Sequence, residues 1–270
     1  MLDSPKLLLS VIIPVYNYEK FLPDAINSII SQDFNLSDLE LIIIDDCSTD
    51  STPKIIEEFA KQYPCIKPIR LPENRGVHYA TNCSIDITRG QYLHFMAADD
   101  YRYKKFFKKC MELLLANPSI PICSTDPAWA DEKTGRYKIR TERLLPEVTQ
   151  PMIFNSEQVV MLLRNTNFWV PGHTTIFKRE VLDKYGSFNP KLGSRCDWYL
   201  VHRIALLEGI IYIPEALSVL YTHGESYSAN ASKKMAALEL LNLLDECPRT
   251  KDLFVRSNLF AEVYNEYQLS

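Results

Sequence analysis

Leu7-Leu8-Leu9-Ser10-Val11-Ile12-Ile13-Pro14 is a short, almost wholly apolar run. Such a run predicts a strand buried on both faces. Working outward, the signal returns three times. Leu39 to Ile44 predicts a second strand, broken by Asp45-Asp46-Cys47-Ser48. Ile66 to Leu71 predicts a third, and Tyr92 to Met96 a fourth that runs into Asp99-Asp100. Helical stripes separate them. Phe21, Leu22, Ala25, Ile26, Ile29 and Ile30 share one face, as do Ile55, Ile56, Phe59 and Ala60. Thr52 is placed to cap the second helix, with Pro53 at its first position and Pro64 at its end. A third helix is predicted near His78 to Thr88. This order, β-α-β-α-β with buried strands, predicts a mostly parallel sheet flanked by helices. Sheets of that class bind ligands beyond the carboxyl ends of their strands. Each strand here ends in polar residues: Tyr16-Asn17, Asp45-Asp46, Asn74-Arg75 and Asp99-Asp100. Packing alone does not account for four such clusters on one edge.

The second half is less regular. Tyr103 to Ala116 predicts a helix and Ile120 to Ser124 a strand. Pro127 to Pro151 reads as a polar loop. Ser156 to Arg164 and Asp197 to Leu207 predict helices, and Thr174 to Phe177 and Ile210 to Ile213 strands. From Lys233 onward two apolar-striped helices are predicted, separated near Pro248.

Composition excludes several classes. The chain has 270 residues and only 8 glycines, no two of them one residue apart, so G-x-G-x-x-G cannot be written. G-x-x-x-x-G-K-[ST] is absent as well. A bound nucleotide is therefore not held by either common glycine loop. The net charge of −4 does not fit a nucleic-acid binder. The 7 cysteines are widely spaced with no C-x-x-C, which predicts reduced thiols in a cytoplasmic protein. Met1 to Lys6 carries no signal-peptide pattern, and no apolar run approaches the roughly 18 residues of a transmembrane helix.

Several segments together resemble family 2 glycosyltransferases, which have the GT-A fold. They are Ser10 to Asn17, Ile43-Ile44-Asp45-Asp46-Cys47-Ser48-Thr49-Asp50, and Asn74-Arg75-Gly76 followed by Ala80-Thr81-Asn82. Phe95-Met96-Ala97-Ala98-Asp99-Asp100, Gly193-Ser194-Arg195-Cys196-Asp197-Trp198 and Tyr221-Thr222-His223 continue the series. The resemblance spans about residues 8 to 228. It implies a GT-A domain over 1–228, with a nucleotide-binding half to about 124 and an acceptor-side half over 125–228. A helical extension follows over 229–270. It implies an inverting transfer of a sugar from a nucleotide-sugar, UDP-linked, to a hydroxyl on a glycan or lipid-linked glycan.

The chemistry then distributes roles. A departing nucleoside diphosphate gathers negative charge, and with no glycine loop a divalent cation held by carboxylates must meet it. The resemblance assigns ribose and metal contacts to Asp99 and Asp100, with Asp100 favoured for the metal. The position where many members carry a further Asp is Ala97 here. His223 is a further metal ligand or diphosphate contact, better matched to Mn²⁺ than to Mg²⁺. Asp46 is similar to the family's uracil-contacting carboxylate and Arg75 to its base-packing residue. Pro14, Tyr16 and Asn17 would line the same pocket. Asp197 resembles the general base that takes the acceptor proton. The preceding residue, often acidic in the family, is Cys196. Losing that charge removes one influence that raises the Asp197 pKa.

Other readings stay open. Asp45-Asp46 and Asp99-Asp100 could be solvated turns, Asp197 a helix cap, and His223 a structural histidine. His78, His94, His173 and His202 show no metal spacing and read as structural. Lys104, Lys105, Lys108 and Lys109 share one arc of a helix, either a solvated face or a contact with an anionic membrane carrying a lipid-linked acceptor. That contact would be peripheral, at the inner face of the membrane. Trp129 and Trp169 could stack on a sugar or pack in the core. The stripes Leu240, Leu241, Leu244 and Phe254, Leu259, Val263 could pack on the domain or make a homodimer. The rivals are a GT-A module that binds without catalysis, which Ala97 and Cys196 keep open, and a nucleotidyltransferase. The second should carry a glycine-rich loop where this chain has Tyr16-Asn17-Tyr18-Glu19-Lys20.

Overall fold

The computed structural model describes residues 7–133, 136–166, 168, 170–222 and 233–269. The apolar runs become strands whose alternate residues enter opposite layers. In β1 (Leu9–Val15) and β2 (Leu39–Asp45), Ile12, Ile42 and Ile44 enter one core, and Val11, Ile13, Leu41 and Ile43 the other. Both faces are covered, so neither run needs polar alternation.

β3 (Ile66–Arg70) and β4 (Tyr92–Phe95) complete a parallel group, and the whole sheet has the order β3-β2-β1-β4-β9-β6-β10-β5. Here β5 is Tyr101–Arg102, β6 Ile122–Lys133, β9 Thr175–Lys178 and β10 Ile210–Thr222. β9 runs antiparallel between β4 and β6, and β10 returns parallel to β6. β7 (Arg136–Thr141) pairs with β6, and β8 (Met152–Phe154) with the start of β10. The chain winds from β1 through β2 to β3, then crosses back to place β4 on the other side of β1. That reversal opens a crevice at the carboxyl ends of β1 and β4.

The helices α1 (Leu22–Ile30), α2 (Thr52–Gln62) and α4 (Phe106–Ala116) cover one face. On α1, Leu22, Ala25, Ile26 and Ile29 are at most 1% exposed, as their stripe predicts. α3 (Val77–Ile85), α5 (Ser156–Asn165), α6 (Arg179–Tyr185) and α7 (Cys196–Glu208) cover the other. At the sheet's opposite end, buried Glu40 accepts from Ser10 Oγ (2.6 Å) and Arg89 N (2.5 Å).

Four expectations change. The predicted loop from Pro127 is instead the continuation of β6 and its hairpin with β7: Pro127 to Ala130 are buried, while Ile139, Arg140 and Thr141 of β7 are exposed. β10 runs on past Ile213 because irregularities at Ala216 and Ser218 let it re-register on β6. Thr52 does not cap α2: its hydroxyl accepts from Tyr18 N (3.1 Å), tying the β1–α1 turn to α2. The C-terminal segment forms three helices, not two: α8 (Lys233–Glu246), α9 (Pro248–Arg256) and α10 (Leu259–Leu269). The unforeseen break is Asn258, at φ 68°, where an asparagine tolerates left-handed backbone. Leu240, Leu244, Phe254, Leu259 and Val263 are at most 2% exposed and belong to the same core as Phe95 and Phe188. These stripes therefore pack on the domain.

Candidate functional site

The crevice opens where Pro14 sits. Ile12 O still accepts from Met96 N (3.0 Å), and the β1–β4 ladder ends at Ile12 and Phe95. Two residues on, Pro14 has no N–H to offer on that side, so nothing holds the strands together. A cleft of about 270 Å³ results. Pro14, Asp99, Asp100 and Asp197, far apart in sequence, all line it.

The remaining predicted residues stand along the edge beside it. Asn17, at φ 57°, donates from its backbone to Ser48 Oγ (2.9 Å) and accepts from Thr49 N (2.8 Å) through Oδ1. It thereby joins the first two strand-end turns. Tyr16 is 42% exposed on that edge. Asp46 is buried: Oδ1 accepts from Arg75 N (2.9 Å) and Oδ2 from Gly76 N (2.7 Å). In this conformation Asp46 anchors the segment carrying Arg75, whose guanidinium lies 3.6 Å from the Tyr79 ring centre. Gly76, at φ 84°, provides the left-handed turn into α3.

Asp99 and Asp100 follow β4 in a turn closed by Asp100 N donating to Ala97 O (3.2 Å). Burial pushes Asp100 up to about 7, aided by the neighbouring Asp99 and opposed by Arg102. Arg102 is itself fully buried, 3.5 Å from Asp100 Oδ2, and its Nε donates to His94 Nε2 (2.8 Å). His94 Nδ1 must then be the protonated nitrogen, since it meets Thr175 O at 2.9 Å. Burial and Arg102 hold His94 well below its ordinary pKa, so this neutral ring is a brace beneath Asp100.

The carboxylate pair fits a divalent cation. Asp100 Oδ1 is buried with no hydrogen-bond partner among the described residues. Among the described residues no cluster of three or more His, Cys, Asp or Glu could hold a metal. Two carboxylates therefore leave positions for phosphate oxygens and water, which suits Mg²⁺ or Mn²⁺. His223 and Trp169 lie outside the described residues.

Asp197 stands in the first turn of α7, entered through Gly193 at φ 52°. Its Oδ1 accepts from Trp198 N (2.8 Å). A Cβ on Gly172 would fall 2.3 Å from Asp197 Oδ2, so only glycine admits the carboxylate here. Burial raises the Asp197 pKa, while the backbone N–H groups of Trp198 and Gly172 lower it in part. The loss of an acidic neighbour at Cys196 thus does not leave Asp197 at its ordinary value. Cys196 Sγ lies 3.5 Å from His78 Nδ1, and burial raises the thiol's pKa, so it is no nucleophile at neutral pH.

Sequence reasoning passed over Arg102 and read His78, His94 and His173 as structural; His78 and His173 line the cleft. Burial drives His173 down to about 3, so it is neutral. The sole signal was Arg102 two residues beyond a carboxylate pair. Trp129 is 9% exposed, with the Arg140 guanidinium 5.1 Å from its ring centre, so it is packed and no sugar platform. Lys104, in the turn before α4, pairs with Asp33 (3.5 Å), and Lys109 on α4 pairs with Glu215 (2.5 Å), so two of the four lysines are neutralised. Among the described residues no helix is long and apolar enough to cross a membrane. All seven cysteines are free.

Known proteins resemble this chain in sequence and in fold. An uncharacterized glycosyltransferase of Nostoc sp. is 28% identical over 247 residues, covering 87% of this chain and 73% of its own. The minor teichoic acid biosynthesis protein GgaB of Bacillus subtilis is 30% identical over 134 residues, 49% of this chain and 15% of its own length. Among solved structures, S. aureus TarS 1–349 in complex with UDP-GlcNAc superposes with a TM-score of 0.72 at 21% identity, covering 96% of this chain and 72% of that one. The mannosyltransferase PcManGT from Pyrobaculum calidifontis, in complex with GDP-Man and Mn²⁺, gives 0.63 at 21% identity, covering 89% and 64%. At these identities the likeness is one of fold. The model of Glycosyl transferase family 2 matches residues 10–186, from the first strand through the β4 carboxylates to the end of α6, and the chain belongs to that family of glycosyltransferases.

Proposed function

We propose that the chain transfers a sugar from a UDP-sugar to a hydroxyl of a glycan or lipid-linked glycan, with inversion, at the cytoplasmic face of the membrane. One observation carries this reading: the Asp99–Asp100 pair and the buried, raised-pKa Asp197 line one cleft. Asp197 takes the proton of the acceptor hydroxyl. That oxygen bonds to the anomeric carbon as the bond to the diphosphate breaks, its electron pair leaving on the phosphate oxygen. Asp100, with Asp99 and His223, would hold Mn²⁺ or Mg²⁺, which when bound neutralises the departing diphosphate. Asp99 also takes the ribose. Pro14, Tyr16 and Asn17 border the base site. Asp46 has a second lone pair on each oxygen to accept a uracil N–H, and reaching it requires the segment Asn74 to Gly76 to lift. Support comes from solved relatives described with UDP-GlcNAc and with GDP-Man and Mn²⁺, and from Bacillus relatives named for teichoic acid biosynthesis. This chain spans less than half of those Bacillus relatives, so their acceptors enter only as a proposal.

Thermal stabilisation tests the donor. A nucleotide-sugar at 100 times its Kd adds about 2.7 kcal/mol. We expect the shift with UDP-sugars and Mn²⁺ or Mg²⁺, reduced by EDTA; no shift across a panel that includes GDP-mannose sinks the donor assignment. Asp197→Asn should cut turnover by about 10²–10⁴-fold while that shift persists.

A further inference from the structure

A second cavity, of about 750 Å³, lies between α3 and α6; apart from Arg75 and Gly76, which belong to the base-side segment, the reaction as derived makes no use of its walls. It is not separate from the cleft: Val77 and His78 line both. The ridge they form is fixed relative to the base, because His78 Nδ1 meets the thiol of Cys196, the residue before Asp197. A molecule whose hydroxyl lies at Asp197 can therefore continue over this ridge into the larger cavity.

The walls define what fits. Asn82 donates from Nδ2 to Phe188 O (2.7 Å), while its Oδ1 is buried without a hydrogen-bond partner among the described residues. Asp86, Asp183 and Ser187 add acceptors and a hydroxyl. Among the described lining residues the single cation is Arg75, which lies over Tyr79 and 4.0 Å from Glu73. Two lining carboxylates against one guanidinium disfavour an anion. They suit a neutral ligand rich in hydroxyl groups, which carboxylate and amide oxygens can receive as donors. The volume lies within the range of about 300–1,000 Å³ usual for ligand sites. Part of the wall, at Ser187 and Pro190, lies beyond the family-matched segment 10–186.

We propose that this cavity is an acceptor subsite for the next residue of a neutral, hydroxyl-rich sugar chain, whose terminal hydroxyl is presented to Asp197. This rests on the transferase reading above. The test measures release of UDP from a UDP-sugar that stabilises the protein, with neutral tetrasaccharides, the matching monosaccharides, or a glycerol-phosphate oligomer as acceptor. Ser187→Trp fills the cavity, and Asp183→Ala removes one acceptor group on an exposed helix should the first variant fold poorly. Stabilisation by UDP is measured in each protein. Tetrasaccharides should stimulate the unmodified chain more than monosaccharides, and the variants should lose that excess while keeping UDP stabilisation. Equal behaviour of variants and unmodified chain, including no stimulation of either, overturns the subsite. So does stronger stimulation by the anionic oligomer. Lost UDP stabilisation in a cooperatively melting variant would assign the cavity to the donor instead. If the unmodified chain itself gains no stability from any nucleotide or nucleotide-sugar, it is the transferase reading that fails.

Discussion

At the scale of single residues, the proposed base, Asp197, is shaped by one glycine. Gly172 leaves the space that Asp197 occupies; a Cβ would lie 2.3 Å from the carboxylate. Gly172→Ala must displace Asp197 or the 3₁₀ turn Gly172–Thr174 that precedes β9. A shift of about 1 Å at a reacting group can cost about a hundredfold in rate. The expected outcome is a kcat lowered by about that factor with UDP stabilisation unchanged, measured by steady-state turnover and thermal melting. The environment of Asp197 also sets a pH limb. Burial raises its pKa above the ordinary 3.8, and the deprotonated form is the base. Activity is therefore lost as pH falls through that raised value, and the acid limb of kcat/KM should have its midpoint above 3.8. A midpoint at or below it would mean that the carboxylate is solvated in the working enzyme. Asp46 supplies a third case. Its two oxygens hold Arg75 N and Gly76 N, so Asp46→Ala should loosen that turn. We expect weaker UDP stabilisation together with faster hydrogen exchange at the Arg75 and Gly76 amides.

At the scale of elements, α7 is held against α9. Its Trp198 ring lies 4.5 Å from His202 and 6.2 Å from Phe254 of α9, and Tyr199 lies 6.0 Å from the same Phe254. Phe254 is fully buried. Phe254→Ala should cost about 3–5 kcal/mol, read as a lower urea midpoint at unchanged slope. Strands β1, β2 and β4 and the helices between them were legible because each pattern was local, apolar runs for strands and 3.6-residue stripes for helices; β3, also predicted, is an edge strand with Lys67, Pro68 and Arg70 exposed. The strand-end carboxylates were legible for the same reason, as polar residues closing apolar runs. What escaped the sequence was non-local. Nothing in Ala216 or Ser218 announces that β10 shifts register and continues. Nothing near Pro127 reveals that β6 continues there between β7 and β10. The brace of Arg102 and His94 became visible only when β9 brought Thr175 beside β4. The role of Gly172 likewise needed α7 folded against it.

At the scale of the molecule, the reversal of strand order at β1 and β4 makes the cleft, and the later half supplies its opposite wall. The layer that carries this wall does not end with the catalytic segments. Phe95, Phe188 and Leu192 share one continuous core with Leu240, Leu244, Phe254, Leu259 and Val263 of the last three helices. The 3₁₀ turn Pro190–Arg195, which leads into Asp197, packs on α8, and α7 packs on α9. Removing residues 229–270 would expose the apolar face of α7 and unsupport the turn before the base. A patch of that kind favours aggregation over a stable fold. The chain cut after residue 228 should therefore lose its cooperative melt, its near-ultraviolet circular dichroism and its stabilisation by UDP together, even though Asp46, Asp99, Asp100 and Asp197 all remain. A truncated chain that melts cooperatively and still binds UDP would establish 1–228 as an independent unit and reduce the last three helices to an accessory layer.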